Sequence, residues 1–449
     1  MNKPSFPVLL MAACLVAQAA AQSTAERPNI VFILADDLGY GDLGCYGHPV
    51  AKTPNLDRLA REGVRFTQHY ANGPECSPTR TAFLTGRYQQ RAQGLECAIG
   101  TGSVGRYGEA IALAQQRRLG LPAAQAVLPA RLAAQGYRCG VFGKWHLGYE
   151  PRFNPIEHGW HEFFGYLGGN VHYFNHRETS DLHVLFRGRL PVHRDGYMSH
   201  LITEDSIDFI RRGKDQPFFL YVSHECPHFP FQGPADADKV VTAENWMEGD
   251  AETYVAMLED LDRQTGDLLA ALDETGLRRR TLVVFASDNG GLDGAAHMGP
   301  LRGAKSTTWE GGIRVPLIVN WPGIVRPGQS EQVCATFDLT RSFLTLAGAT
   351  TDSLDGQDIV GQVMRGEPPK DRTLFWRGRR GDRTWSAVRS GDVKLVQRRE
   401  GEASESWLFD LEKDVSEKHD LTATRPDDAR RMAELLRQWE ADVDRNRLK

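Results

Sequence analysis

No apolar run in the 449-residue chain reaches the ~20 residues that span a bilayer, so no integral membrane segment is expected. A basic excess is also missing. Lys and Arg number 53 against 58 Asp and Glu, a net charge of −5, which excludes a general nucleic-acid binder. There is no internal repeat and no low-complexity tract, so a solenoid is excluded as well. Cysteine is scarce at seven residues. What is present is ordinary for a globular protein with a large core: 41% hydrophobic and 25% charged residues. The 45 glycines and 23 prolines follow no collagen period and imply many turns and long loops.

Residues 1–21 read as an export signal. Lys3 gives a short positive start, residues 8–16 are apolar, and Ala19-Ala20-Ala21 offers a cleavage site before Gln22. The expected destination is the periplasm or the medium. A lipoprotein signal ending at Cys14 is the alternative, with Met11 where leucine is usual. Six cysteines then remain (Cys45, Cys76, Cys97, Cys139, Cys226 and Cys334), enough for three disulfides in an exported chain. Their spacing is irregular. If Cys76 is set aside for chemistry, at least one of the others is unpaired or none is bridged.

Strand and helix patterns alternate along most of the chain, which predicts an α/β fold: a large, mainly parallel sheet flanked by helices. Residues 29–34 (NIVFIL), 217–223 (PFFLYVS) and 281–287 (TLVVFAS) suit strands buried on both faces. Thr53-Pro54 opens a helix that Gly63 stops, and residues 251–276 repeat apolar side chains at helical spacing. After Gly348 the pattern changes. Residues 349–372 are rich in Gly, Pro and Asp, a hairpin is expected across 386–396, a short strand at 407–411, and an amphipathic helix over 426–448. The expected division is a catalytic domain at 22–348 and a smaller α+β subdomain at 349–449.

Ligands of open α/β sheets sit beyond the carboxyl ends of the strands. Two of the predicted strands end in metal-ligand types there: Asp36-Asp37 after the first, Asp288-Asn289 after TLVVFAS. Adjacent carboxylates repel unless a cation lies between them, and hard oxygen donors suit Ca²⁺ or Mg²⁺. Either pair alone would be read as a turn.

Cys76-Ser77-Pro78-Thr79-Arg80 starts a predicted helix closed by Gly86. Cys76 thus lies at a positive helix end with Arg80 on the same face, a setting for a nucleophile. Gly143-Lys144-Trp145-His146-Leu147-Gly148 ends another strand. If the extended backbone continues, Lys144 and His146 share a face, suited to holding an oxyanion and moving a proton, while Trp145 joins the core.

His224 and His228 follow PFFLYVS into the same crevice, and residues 299–312 (GPLRGAKSTTWEGG) present Arg302 and Lys305 to an anion. Arg278-Arg279-Arg280 and Arg379-Arg380 read as solvated loop charges. His172, His176 and His183 have no metal spacing and are read as cleft-lining or exposed.

Together these segments resemble the type I, formylglycine-dependent sulfatases of the alkaline-phosphatase-like superfamily. The resemblance runs through PNIVFILADDLGYGDLGCYG, CSPTRTAFLTGRY, GKWHLG, SDNGG, GPLRGAKSTTWEGG and the closing WLFDLEKDVSEKHDL. CSPTR is similar to the Cys-x-Pro-x-Arg signature at which a maturation enzyme oxidises cysteine to formylglycine. Thr79 replaces a commoner serine at a variable position of that signature.

The resemblance implies that Asp36, Asp37, Asp288, Asn289 and the modified Cys76 hold one Ca²⁺. It further implies that a hydroxyl of hydrated residue 76 attacks sulfur. Arg80 and Lys144 would position that group, Lys305 and His228 would bind the sulfate, and His228 would protonate the leaving oxygen. His146 would then deprotonate the second hydroxyl, expelling sulfate and restoring the aldehyde. His228 is favoured over His224 because the resemblance falls on Pro-His-x-Pro.

The stretch 143–165 is similar to galactosamine-6-sulfatases and arylsulfatase A-like enzymes, which favours 6-O-sulfated galactose or N-acetylgalactosamine in a sulfated carbohydrate. Sugar contacts are then expected from His158, His172, His176, Arg177 and Arg302. The rival readings are a phosphonate monoester hydrolase or phosphodiesterase with the same site, and, further off, a catalytically inactive glycan-binding protein. The latter should have lost a key group, and none is missing.

Overall fold

The computed structural model describes residues 27–448. The expected export signal and Cys14 lie outside these residues. Ten strands form the main sheet. In spatial order they are Gly328–Ser330, Val64–Phe66, Leu317–Asn320, Thr281–Ser287, Asn29–Ala35, Phe218–Ser223, Arg138–Lys144, Glu162–Tyr166, Leu185–Arg187 and Leu190–Pro191. The five strands from Thr281–Ser287 to Glu162–Tyr166 are parallel, and Leu317–Asn320 joins them antiparallel.

The central strand shows why its sequence is apolar from Ile30 to Ala35. Ile30, Phe32 and Leu34 enter one core with Phe83, Leu132 and Phe343. Val31, Ile33 and Ala35 enter the other with Met198, Leu258 and Leu261. Side chains alternate faces along a strand, and here both faces are covered, so a polar residue fits only where its bonds are met, as Asn29 does at the strand start with Thr281 Oγ1 and the N–H of Phe218. The helices Cys76–Thr85, Val127–Ala134 and Thr336–Ala347 cover the first face. Pro54–Arg61, Met198–Arg212 and Ala251–Glu274 cover the second. All six cysteines among the described residues are free thiols. No helix among the described residues is long and apolar enough to cross a membrane.

The C-terminal sheet is larger than its sequence suggests. Four antiparallel strands, Thr373–Arg380, Arg383–Ser390, Val393–Glu400 and Ala403–Asp410, follow one another through two-residue turns. Each turn opens on a glycine in the left-handed region: Gly381 at φ 63°, Gly391 at 58° and Gly401 at 57°. The expected hairpin at 386–396 is the middle one of three, and the strand expected at 407–411 begins at Ala403. The Pro426–Arg445 helix packs Met432, Leu436, Trp439 and Val443 into a core shared with Leu374, Trp376 and Val388. That core also takes in Tyr70, Tyr88 and Phe337 of the main body.

Arg379 and Arg380 are therefore not loop charges. They end the first strand of this sheet, because the chain needs its eighth paired residue there: Arg380 faces Arg383 across the turn. Arg377, two residues earlier, is buried and forks onto the equally buried Glu96 at 2.6 and 2.9 Å and onto Asp444 at 3.0 and 2.7 Å. This network ties the small sheet to the loop that follows the Cys76 helix. Arg377→Met should cost about 3–5 kcal/mol, since it strands the Glu96 carboxylate in the interior. Denaturant unfolding checks this; a loss under ~1 kcal/mol would show that Glu96 is resolvated.

Candidate active site

The carboxyl ends of four parallel strands meet at one crevice. Asn29–Ala35 runs into Asp36-Asp37, Thr281–Ser287 into Asp288-Asn289, Arg138–Lys144 ends on Lys144, and Phe218–Ser223 leads to His228. Opposite them starts the Cys76–Thr85 helix, entirely buried and closed by Gly86 at φ 65°. Cys76 occupies its first turn, so the free backbone N–H groups of the helix end point toward the crevice.

Cys76 Sγ lies 3.3 Å from Asp36 Oδ1 and 4.0 Å from Asp37 Oδ1, and Lys305 Nζ approaches it to 3.6 Å. Lys144 Nζ pairs with Asp36. Arg80 donates to Asp288 Oδ2 through Nε at 3.0 Å and Nη2 at 2.9 Å, and its Nη1 donates to Ser223 Oγ at 2.5 Å. Lys305 Nζ donates to Asp37 Oδ2 at 2.6 Å. Three carboxylates are thus matched by three cations, all but Lys305 wholly out of water.

Burial, with Asp288 adding to it against the pull of Lys144, pushes the Asp36 carboxyl up to about 7. Burial and then Asp36 push the Cys76 thiol well above its ordinary range. A thiol so placed stays protonated and is a poor nucleophile.

The two histidines are set differently. His146 Nε2 lies 2.7 Å from the carbonyl of Ile99, which can only accept, so Nε2 carries the hydrogen. The lone pair of the neutral ring then falls on Nδ1, which is buried without a partner. Burial and Lys144 hold His146 neutral, well below its ordinary range. His228 is the mirror case. Its Nδ1 faces the carbonyl of Phe229 at 2.6 Å, so the exchangeable position is Nε2, 3.4 Å from Asp37 Oδ2. Burial, Lys305 and Lys144 all disfavour its charged form.

The backbone does not stay extended to His146, as the strand reading assumed. The strand ends at Lys144, and His146 takes φ 57°, with its N–H donating to the carbonyl of Leu167. Lys144 and His146 reach the site from different directions. Trp145 is core, its Nε1 bonded to the carbonyl of Phe153. His224 is buried with no partner for either ring nitrogen and stands outside the cluster.

Oxygen and sulfur donors of Asp36, Asp37 and Cys76, with a ring nitrogen of His228, lie within 4.8 Å of one another. Asn289 adds a further sign of a cation site. Its Nδ2 donates to Asp37 Oδ1 at 2.7 Å, while its Oδ1 is buried with no partner at all. An orphaned buried carbonyl costs free energy unless something positive meets it. Carboxylate and amide oxygens are the donor set of a hard divalent cation.

The sugar contacts expected from sequence fare less well. His158 is buried behind Trp145, its ring nitrogens 2.9 Å from the carbonyl of Asn154 and 2.7 Å from that of Leu121. Arg302 lays its guanidinium 3.8 Å from the Trp309 ring centre and donates to the carbonyl of Glu417. Both are engaged with the fold, and neither lines the cleft. His172, His176 and Arg177 spend their side chains on their own loop and its neighbours: on the N–H groups of Phe174 and Asn175, on Gly196 O, and on Asp181. The same loop does border the crevice, through Asn170 and Thr179.

The crevice opens into a cleft of about 420 Å³ that Cys76, His146, His228 and Lys305 line from below. Its lining also includes residues that the sequence did not assign to the site: Glu75, Arg106, Trp246, Met247, Ser306 and Arg380. Glu75 and Ser306 had a signal, their places next to Cys76 and Lys305, and Arg380 was visible only as one of a pair of loop charges.

A family model described as "Sulfatase" matches residues 28–349. Among curated relatives, N-acetylgalactosamine-6-sulfatase of Mus musculus is 33% identical over 419 residues, 86% of this chain and 76% of that protein. Arylsulfatase A of Homo sapiens is 32% identical over 464 residues, covering 91% of this chain and 86% of that one. Among solved structures, Ps i-CgsB in complex with k-i-k-neocarrahexaose superposes with a TM-score of 0.82 at 30% identity, over 94% of each chain.

Proposed function

Since the chain belongs to the sulfatase family of sulfuric ester hydrolases, with its alkaline-phosphatase-like fold, we propose that it desulfates a sulfated carbohydrate, 6-O-sulfated galactose or N-acetylgalactosamine foremost. The observation that carries this reading is the gathering of three carboxylates, the orphaned amide oxygen of Asn289 and three cations around Cys76. Support for the sugar comes from the 6-sulfatase relatives and from the oligosaccharide named with Ps i-CgsB.

Asp36, Asp37, Asp288 and Asn289, with residue 76, would hold one Ca²⁺, which would supply Lewis-acid stabilisation of negative charge on the ester. Formylglycine made from Cys76 by a maturation enzyme would supply, as its hydrate, an oxygen nucleophile that can be regenerated. The protein's own groups do the rest. The three carboxylates and three cations cancel, so any divalent cation leaves the pocket net positive and ready for an anion. Arg80, locked on Asp288 and Ser223, fixes the floor under residue 76. Lys305, the cation with some access to solvent, meets the sulfate.

His228 Nε2 is the proton donor to the leaving oxygen. Its surroundings disfavour the charged ring and its own hydrogen sits on Nδ1, so Nε2 first takes up a proton, a step the negative charge of the bound sulfate favours, and then gives it to the leaving oxygen. His146 Nδ1, neutral and unpartnered, is the base that takes a proton from residue 76. Residues 1–21 would direct export, to the periplasm or the medium.

The test is sulfate release from 2-, 4- and 6-sulfated galactose and N-acetylgalactosamine, beside matched phosphate and phosphonate esters, by protein whose residue 76 has been checked by mass spectrometry. Release from the 6-sulfates is expected. Release from only a non-6 isomer overturns the regiochemistry, and faster phosphonate cleavage overturns the substrate class.

A further inference from the structure

The cations at the floor of the cleft are paired at short range; those at its rim are paired loosely or not at all. Arg106 and Arg383 make no ion pair among the described residues. Arg380 reaches only to 3.7 Å from Glu75 Oε1, and that carboxylate already accepts from Cys97 Sγ, Ala98 N and Ser306 Oγ. Arg379 comes within 3.6 Å of Glu96, which is taken by Arg377. In a chain of net charge −5 this is a local excess of guanidinium.

The arginines are also held in place. Gly381 N–H donates to Arg106 O at 2.7 Å and Arg379 N–H to Glu96 O at 3.2 Å, so the tip of the first C-terminal hairpin is bolted to the loop carrying Arg106. A side groove of about 180 Å³ leads away from the main cleft beneath this tip. It shares Glu75, Lys305, Ser306 and Arg380 with the cleft and continues past Glu96, Arg379, Arg383 and the partly exposed Trp385, with Glu96 already held by Arg377.

Resting on the glycan sulfatase reading above, we propose that Arg380 and Arg106 form a second anion subsite, which binds an oxyanion on the sugar next to the one that carries the scissile sulfate. Guanidinium forks suit sulfate and carboxylate alike, and an indole face beside them suits a pyranose ring. The substrate is then an oligosaccharide with at least two negative groups, its acidic neighbour lying in the groove between catalytic body and C-terminal sheet.

The experiment compares three disaccharides with the same scissile sulfate: one with a neutral neighbour, one with a second sulfate there, and one with a uronate. For the wild type, kcat/KM should favour an acidic neighbour about tenfold, expressed in KM, and the better of the two acidic arms identifies the oxyanion. The R106Q/R380Q double variant should lose that preference, and R106K/R380K should keep part of it. Equal rates on all three disaccharides, or an equal loss on all three in the glutamine variant, would overturn the proposal. Calorimetric binding of the same disaccharides separates the two readings: an acidic preference in binding without any sulfate release sinks the sulfatase reading and leaves the subsite standing.

Discussion

Cys76→Ala is expected to abolish sulfate release, a loss on the order of 10⁴-fold or more, because no other group in the crevice can take the place of the attacking oxygen. Ser77 Oγ is committed to the carbonyl of His146 at 2.8 Å and to the N–H of Ile99. Ser223 Oγ is held between Arg80 and the carbonyl of Lys144. The fold should survive, since the change removes one sulfur atom and leaves the helix, its glycine stop and the Arg80–Asp288 pair intact. Unfolding within ~1–2 kcal/mol of wild type, together with lost activity, is the predicted pair of results. Full activity in the alanine protein would end the mechanism proposed for residue 76.

Removal of the divalent cation should have the next largest effect. A metal acting as a Lewis acid contributes several kcal/mol at the transition state, so chelation should lower kcat/KM by at least ~100-fold, with recovery on adding Ca²⁺. The protein should remain folded meanwhile, because Asp36, Asp37 and Asp288 keep Lys144, Lys305 and Arg80 as partners. Its melting temperature should nonetheless rise with Ca²⁺, as ligand binding to the folded state adds about 2.7 kcal/mol at one hundred times Kd. Metal analysis before and after chelation completes the measurement. A protein stripped of metal yet fully active would refute the cation site.

The parts of this architecture that could be read from sequence are those where one residue type is forced. Residues 30–35 are apolar at every position because both faces are covered, and the same pressure makes the interiors of 218–223 and 281–287 mostly apolar, with polar residues at the strand ends. The acidic pairs at the ends of these strands, Cys76 at its helix start, and Lys144, His146, His228 and Lys305 all fall at the crevice.

What stayed hidden depends on partners far away in the chain. The edge strands Val64–Phe66 and Gly328–Ser330 are three residues long and carry no period of their own. The first C-terminal strand, TLFWRGRR, looks like a solvated end because its burial rests on Arg377 meeting Glu96, 281 positions earlier. His158 resembles a cleft residue by its neighbourhood in sequence, yet its ring is enclosed by the carbonyls of Leu121 and Asn154. Ring nitrogens and guanidinium groups take whichever partner the fold offers, and local sequence does not name it.

The placing of Asn29–Ala35 at the middle of the sheet sets a clock on the birth of the protein. Its neighbours are residues 218–223 on one side and 281–287 on the other. At a synthesis rate of about 5–20 residues per second, a ribosome that has finished residue 35 needs roughly 13–50 s more to complete the second of them. Both edges of this mostly apolar segment are bare until residues 218–223 emerge, and one stays bare until the end of the interval, an invitation to self-association that a chaperone must answer. The same delay has a use. Phe83 and Leu84, which anchor the Cys76 helix, pack into a core built partly from residues 282–286 and 339–344. Until those emerge, Cys76 lies on open chain, and on the formylglycine reading proposed above that is when a modifying enzyme would have full access to a residue 1% exposed in the finished fold.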